Sequence, residues 1–81
     1  MVTSEDIEGY IKAGLACEHI VVQGDGQHWE ALIVSPEFAG KNKVQQHQLV
    51  YRALGDRMRE EIHALSMQTL TPEQWRSAQS G

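Results

Sequence analysis

Two apolar, β-branched segments lie on either side of a short glycine-rich turn in the first half of the chain. The first segment predicts a strand over residues 19–23, and the second predicts the returning strand over residues 29–35. Gly24-Asp25-Gly26 forms the turn between them. Because proline has no backbone N–H to donate, Pro36 ends the second strand. The pattern therefore predicts an antiparallel hairpin with His28 near its tip.

A helix is predicted on the N-terminal side of this hairpin. Thr3 and Ser4 are followed by Glu5 and Asp6, which is typical of a helix start, since a hydroxyl caps the first amides and acids favour the first turn. Apolar residues then recur at helical spacing. They predict a first helix that ends at about residue 16.

The second half of the chain predicts three more helices and one strand. The helices are expected at residues 43–54, at residues 56–61 after a break at a glycine, and from Thr71-Pro72 onward, where Trp75 would anchor the last one. The strand is expected at residues 63–70, and it would return to the sheet through a helical crossover. The order helix-strand-strand-helix-helix-strand-helix predicts an α+β fold with a mixed three-stranded sheet, in one domain over residues 1–81.

Size and cysteine content limit what such a domain can hold. A chain of 81 residues buries only about 60–65% of its unfolded surface, so we expect one thin core and no deep pocket. Cys17 is the single cysteine, which excludes an internal disulfide and a thiolate-only metal site. With no long apolar run and an acidic rather than basic N-terminal segment, the chain is expected to be cytoplasmic, without membrane contact.

Charge is distributed unevenly along the sequence. The net charge is −4, yet residues 41–59 carry five basic residues against one acid. This segment predicts either one electropositive face, suited to an anionic ligand or an acidic partner, or ordinary solvated helix surfaces. Its basic residues are Lys41, Lys43, Arg52, Arg57 and Arg59.

Histidine is the residue type most capable of chemistry here, at positions 19, 28, 47 and 63. Imidazole suits iron and zinc, although a single histidine equally serves as a surface, capping or packing residue. His28 beside the turn and His63 at a helix-to-strand junction could meet at one edge of the sheet. Neither zinc-finger nor HExxH spacing is present, and no GxSxG motif occurs, so no enzyme is predicted. For Cys17, a buried core position is favoured over a nucleophile.

Several stretches together resemble the BolA family. They read FAG at 38–40, VQQHQLVY at 44–51, IHALS at 62–66 and LTPEQW at 70–75, while CEHIVV and GDGQHW in the hairpin resemble the bacterial IbaG-type branch. The resemblance covers nearly the whole chain, in the same order and spacing. It implies a class II KH-like fold, in agreement with the element order predicted above.

The resemblance also implies a partner and a cofactor. BolA-type proteins form heterodimers with monothiol glutaredoxins around a bridging [2Fe–2S] cluster, to which glutaredoxin and glutathione give thiolates and the BolA protein gives histidine. His63 matches the C-terminal ligand of the family, and His28 stands in the hairpin region that supplies the second. The resemblance thus implies a non-catalytic role in cluster trafficking or in iron and stress sensing. The isolated chain would hold no cofactor and would be a monomer or weak homodimer.

A second function stays open at this point, namely a nucleic-acid-binding transcriptional regulator that uses the basic helical segment. KH domains bring backbone close to phosphates through a GxxG loop. Here the corresponding turn reads Gly55-Asp56-Arg57-Met58, in which the last position lacks the second glycine. Only weak nucleic-acid binding is therefore predicted.

Overall fold

The computed structural model describes residues 2–60, 62 and 64–80, apart from the side chain of Arg59. Within these residues a three-stranded sheet carries helices, as the α+β prediction requires. The elements are α1 (Ser4–Gly14), β1 (His19–Gly24), β2 (His28–Val34), a 3₁₀ turn (Pro36–Phe38), α2 (Lys43–Leu54), α3 (Arg57–Glu60), β3 (Ala64–Leu70) and α4 (Pro72–Ser80).

The sheet has the predicted mixed topology. β2 lies in the centre, antiparallel to β1 and parallel to β3. Its register places His19 opposite Val34 at one end and Gly24 opposite Trp29 at the other. We call the second of these the hairpin end of the sheet.

Side chains cap the helices where the sequence predicted helix starts. The hydroxyl of Thr3 accepts a hydrogen bond from the Asp6 amide at 3.1 Å, and the Asp6 carboxylate accepts one from the Thr3 amide at 3.0 Å. Thr71 and Gln74 make the same reciprocal pair at the start of α4, at 3.1 and 2.9 Å. Such pairs satisfy amides that the first helical turn leaves free. No helix in the described ranges is long and apolar enough to cross a membrane.

Some element bounds differ from the predictions. α1 ends at Gly14 rather than near residue 16, because Leu15 adopts an extended backbone conformation (φ −150°, ψ 128°). β2 begins at His28, one residue earlier than predicted, and a 3₁₀ turn follows it. The predicted last residue of the third helix, 61, and the predicted first residue of the third strand, 63, lie outside the described residues.

The two faces of the sheet have different surroundings. Because side chains alternate along a strand, one set points toward α1 and α2, and we call this side the inner face. Its strand residues share one core with both helices and with Phe38. The buried apolar strand residues of this face are Val22, Trp29, Ala31 and Ile33, and Thr69 of β3 is buried beside Ile33.

The opposite side, the outer face, is covered only at the end remote from the hairpin. There the ring of Trp75 stacks on His19, with centroids 4.7 Å apart and planes inclined by 21°. Val34, opposite His19 in the register, is fully buried outside the main core cluster. The prediction that Trp75 anchors α4 on the body is confirmed. Toward the hairpin end the outer face is exposed, as at Val21, Glu30 and other positions of the same alternation.

Candidate functional site

His28 lies at the hairpin end of the sheet, as the first residue of β2, and its side chain is exposed. The Asp25 side chain fixes the backbone of His28 through hydrogen bonds. The Asp25 Oδ1 atom accepts hydrogen bonds from the amides of Gln27 and His28, both at 2.9 Å. The Asp25 amide in turn donates to the His28 carbonyl at 3.2 Å. The imidazole therefore projects from a fixed backbone toward solvent.

The same hydrogen bonds favour the ionised form of the Asp25 carboxyl. The two amides hold the pKa of the Asp25 carboxyl below its usual range, and the nearby His28 adds to this effect. Asp25 is therefore anionic at neutral pH, beside the candidate ligand.

Close backbone packing beneath His28 requires a glycine at position 24. A Cβ added to Gly24 would lie 2.2 Å from the His28 carbonyl oxygen and 2.9 Å from the Trp29 Cα. Trp29 itself is buried on the inner face, and its Nε1 has no hydrogen-bond partner among the described residues. Since the inner side is filled by this indole, the His28 ring is available only on the outer face.

The second predicted ligand, His63, lies outside the described residues. The next residue in the sequence, Ala64, is the register partner of His28 in the parallel pair of β2 and β3. The strand that follows position 63 in the sequence therefore lies beside the strand that begins at His28. Whether both histidines ligate a metal stays a prediction.

The other two histidines lie elsewhere. His19 stacks on Trp75 at the far end of β1, and His47 is half-buried on α2. Within the described residues no group of three or more His, Cys, Asp or Glu side chains could hold a metal ion. Any metal group bound through His28 must therefore take further ligands from outside this described part of the chain.

Cys17 does not lie beside His28. It precedes β1 at the opposite end of the sheet, and β1 alone spans roughly 17–20 Å at about 3.3 Å per residue. Its Sγ atom donates to the Leu15 carbonyl at 3.3 Å, and burial raises the pKa of the thiol. Cys17 is half-buried and packs against the core, close to the core position predicted for it.

The basic residues of the segment 41–59 are spread around the helices. The Lys43 ammonium donates to the Thr69 carbonyl of β3, and the Arg57 guanidinium lies 4.0 Å above the ring of Tyr10. Lys43 and Arg52 are nine residues apart on α2, which places them half a turn apart around its axis. Their function as nucleic-acid or partner contacts stays a prediction, as does that of Lys41; the side chain of Arg59 is outside the described part.

Sequence reasoning missed a buried polar residue that joins α2 to the sheet. Gln46 is 3% exposed, and its Nε2 donates to the carbonyls of Phe38 and Lys41 at 3.1 and 2.9 Å. Its Oε1 accepts from the Thr69 hydroxyl at 2.6 Å. A signal was present, because Gln46 lies four and eight residues before the buried Val50 and Leu54.

These elements form an α+β fold of the BolA type. The sequence matches the family model of BolA-like proteins over residues 8–74. The chain belongs to the BolA family, as its motifs predicted. It is 38% identical over 55 residues to the DNA-binding transcriptional regulator BolA of Haemophilus influenzae, covering 68% of this chain and 53% of that protein. The aligned part thus spans about half the length of this relative.

Two further relatives are matched over most of their length. Protein BOLA2 of Arabidopsis thaliana is 38% identical, with 94% of this chain and 86% of that protein covered. The acid stress protein IbaG of Escherichia coli is 30% identical, with 89% and 87% covered. This match is consistent with the predicted place near the IbaG branch.

Solved structures show the same fold. A bolA homologue from Coxiella burnetii has a TM-score of 0.83 at 42% identity, covering 94% of this chain and 99% of that chain. The BolA domain of SufE1 from Arabidopsis thaliana has a TM-score of 0.76 at 28% identity, covering 86% and 92%. Yeast Fra2 also has a TM-score of 0.76, at 32% identity, covering 91% and 84%.

Proposed function

We propose that this chain is a non-catalytic partner of a monothiol glutaredoxin and supplies histidine to a bridging [2Fe–2S] cluster, in cluster trafficking or iron sensing. The observation that carries the proposal is the exposed imidazole of His28 on a backbone fixed by Asp25. Imidazole nitrogen is a suitable ligand for iron. A ligand held on a rigid element, with its ring in solvent, can reach a metal that a second protein presents.

The donor set fits a shared cluster better than one held by this chain alone. The described residues offer no group of three donors, and Cys17 lies at the other end of the sheet. In this proposal the thiolates come from the partner and from glutathione, as the family resemblance implies. Mixed histidine and thiolate ligation gives a [2Fe–2S] cluster a higher reduction potential than ligation by thiolates alone.

The residues around His28 have separate tasks in this proposal. His28 provides a ring nitrogen, while Asp25 fixes the turn and Gly24 lets the two strands approach beneath it. The pairing of His28 with Ala64 supports a second ligand from the neighbouring position 63, as the family resemblance implies. The BolA domain within SufE1 supports the view that this fold works together with another protein unit.

The test is the visible absorption and circular dichroism of the chain mixed with cluster-loaded monothiol glutaredoxin and glutathione. We expect a 1:1 complex with a new spectrum, which His63→Ala abolishes and His28→Ala alters. His47→Ala is the matched control, because it removes an imidazole from α2 and should leave the spectrum unchanged. A glutaredoxin spectrum that does not change when the wild-type chain is added refutes the ligand role.

A second function is favoured by one comparison, since the Haemophilus influenzae relative is named a DNA-binding transcriptional regulator. Binding through the basic segment should then weaken with salt, with a log–log slope of about −0.9 for each phosphate contact. Lys41→Ala and Arg52→Ala should each reduce that slope by about one. Binding that does not respond to salt would contradict this function. Because the Lys43 and Arg57 side chains are held against β3 and Tyr10, fewer side chains of the basic segment can reach a phosphate.

A further inference from the structure

The exposed part of the outer face forms one continuous surface from His28 to Val21. Two shallow concavities adjoin there and share Gln23, Glu30 and Ser66 in their linings. One of them reaches His28, and the other reaches Val21 and Leu32. We call this the His28–Val21 surface.

An apolar pair lies at the centre of this surface. Val21 is 41% exposed, and Leu32 is its cross-strand partner in the register. Leu32 is four residues from His28 along β2, which is about 13 Å. A standard interface covers about 800 Å² on each partner, or a disc of about 16 Å radius. An interface of this size that is centred on the His28 imidazole therefore also covers the apolar pair.

The charges of the surface restrict the partner. The three described strands contain no lysine or arginine, while Glu30 lies on the surface and Asp25 at its rim. The partner face that matches it is apolar at its centre and carries basic side chains opposite these two carboxylates. At the other end, the stack of Trp75 on His19 closes the surface, so α4 limits how far the partner extends.

We infer that the His28–Val21 surface is where the thiol-bearing partner docks, with Val21 and Leu32 as the apolar centre and Glu30 as a charge contact. This inference rests on the proposed function, because it takes the glutaredoxin that completes the cluster as the occupant. It adds the orientation of that partner, against the open side of the sheet and not against α2 or α3.

Two exposed valines allow a matched experiment. Val21 lies at the centre of the surface, whereas Val44 lies on α2 and is 67% exposed. Cluster-free monothiol glutaredoxin is titrated into the wild type, Val21→Lys and Val44→Lys by calorimetry. We expect Val21→Lys to weaken binding roughly tenfold or more and Val44→Lys to leave it within about twofold. Glu30→Lys should weaken binding less, and its effect should decrease in high salt.

Thermal unfolding shows whether each variant is folded, and Val21→Thr, which keeps a β-branched side chain, replaces Val21→Lys if the lysine variant unfolds. Equal binding by Val21→Lys and wild type, or a loss confined to Val44→Lys, overturns the inference. A dimer of the chain alone in sedimentation, lost in Val21→Lys, also overturns it, because a second copy would then occupy the surface.

The two proposals fail in different ways. If Val21→Lys binds normally while His28→Ala still alters the cluster spectrum, only the docking surface is wrong. If Val21→Lys weakens the binding of cluster-free glutaredoxin but His28→Ala leaves the cluster spectrum unchanged, the ligand role of His28 is wrong and the surface stands. If wild-type chain does not bind glutaredoxin, both are wrong.

Discussion

The inner and outer faces of the sheet are built on opposite principles. On the inner face α1 and α2 cover the strands, and even the buried Gln46 has a partner for each polar atom. On the outer face α4 has no buried residue and covers only one end, through the stack of Trp75 on His19. Stability therefore resides mainly in the inner face, and the exposed part of the outer face is available for the docking inferred above.

This separation has a consequence for substitutions. Changes on the inner face should alter the free energy of unfolding, and changes on the exposed part of the outer face should alter binding alone. Burial decides the difference, since surface substitutions away from special contacts usually change stability by no more than about 0.5 kcal/mol.

Gln46→Ala should have the largest effect, because it removes three hydrogen bonds made by a side chain that is only 3% exposed. Each such hydrogen bond contributes about 0.5–1.5 kcal/mol net, so we expect a total loss of about 2–4 kcal/mol. Urea denaturation followed by circular dichroism measures it. Gln48→Ala, an exposed glutamine on the same helix, should change the free energy of unfolding by less than about 0.5 kcal/mol. Similar effects of the two variants would contradict the assignment of Gln46.

Two glycines of α1 should respond to alanine in opposite directions. A Cβ at Gly14 would lie 2.9 Å from the Cα and the Cβ of Ala53, where α1 packs against α2. Gly14→Ala should therefore destabilise the fold by about 1–3 kcal/mol. At Gly9 nothing lies within 4 Å of the added Cβ, so Gly9→Ala should stabilise the helix by about 0.5–1 kcal/mol. Thermal unfolding of both variants checks the signs, and equal signs would contradict the close approach.

Trp75→Ala should release α4 and expose the covered end of the outer face. The lost stacking and burial should cost about 1–2 kcal/mol, less than the change at Gln46. Hydrogen exchange should become faster in α4 while the β1–β2 hairpin stays protected. Arg76→Ala, at the adjacent exposed position, is the control. A loss of protection throughout the sheet would show that α4 belongs to the main core.

Local sequence patterns were enough for most of the fold. The predicted α2 has the observed bounds, and both predicted caps exist, because caps and periodicity depend on residues only a few positions apart. The hydrogen bond between Gln46 and Thr69 could not be predicted this way, since it joins residues 23 positions apart.

For the candidate site, the position of His28 beside the turn could be predicted from the sequence. The residues that lie around it on the neighbouring strands could not. Its pairing with Ala64 depends on the register of two strands joined through two helices. The dispersion of Lys43 and Arg52 could have been foreseen, because nine residues on a helix amount to two and a half turns. The outer-face surface, by contrast, could not be predicted, because its residues come together only when the three strands pair.

The smallest effect is expected at the open hairpin end, where Asp25 holds His28 in place. The amides of His28 and Gln27 lower the pKa of this carboxyl in the folded chain. A group whose pKa is lower when folded contributes stability above its unfolded pKa, and the contribution is lost as the pH falls through the folded pKa. The hairpin contacts should therefore persist at neutral pH and weaken only below pH 3.8, the ordinary value for this carboxyl.

Two-dimensional NMR measures this loss through the amide shifts of Gln27 and His28 during an acid titration. We expect both amides to shift together below that pH, while amides of the inner-face strands stay unchanged over the same step. Asp25→Asn keeps an oxygen acceptor without a titrating proton, so it should retain the turn and lose the step. A step that persists in Asp25→Asn would assign the titration to another group. Because Asp25 is exposed, the inner face should not respond, which separates the two faces once more.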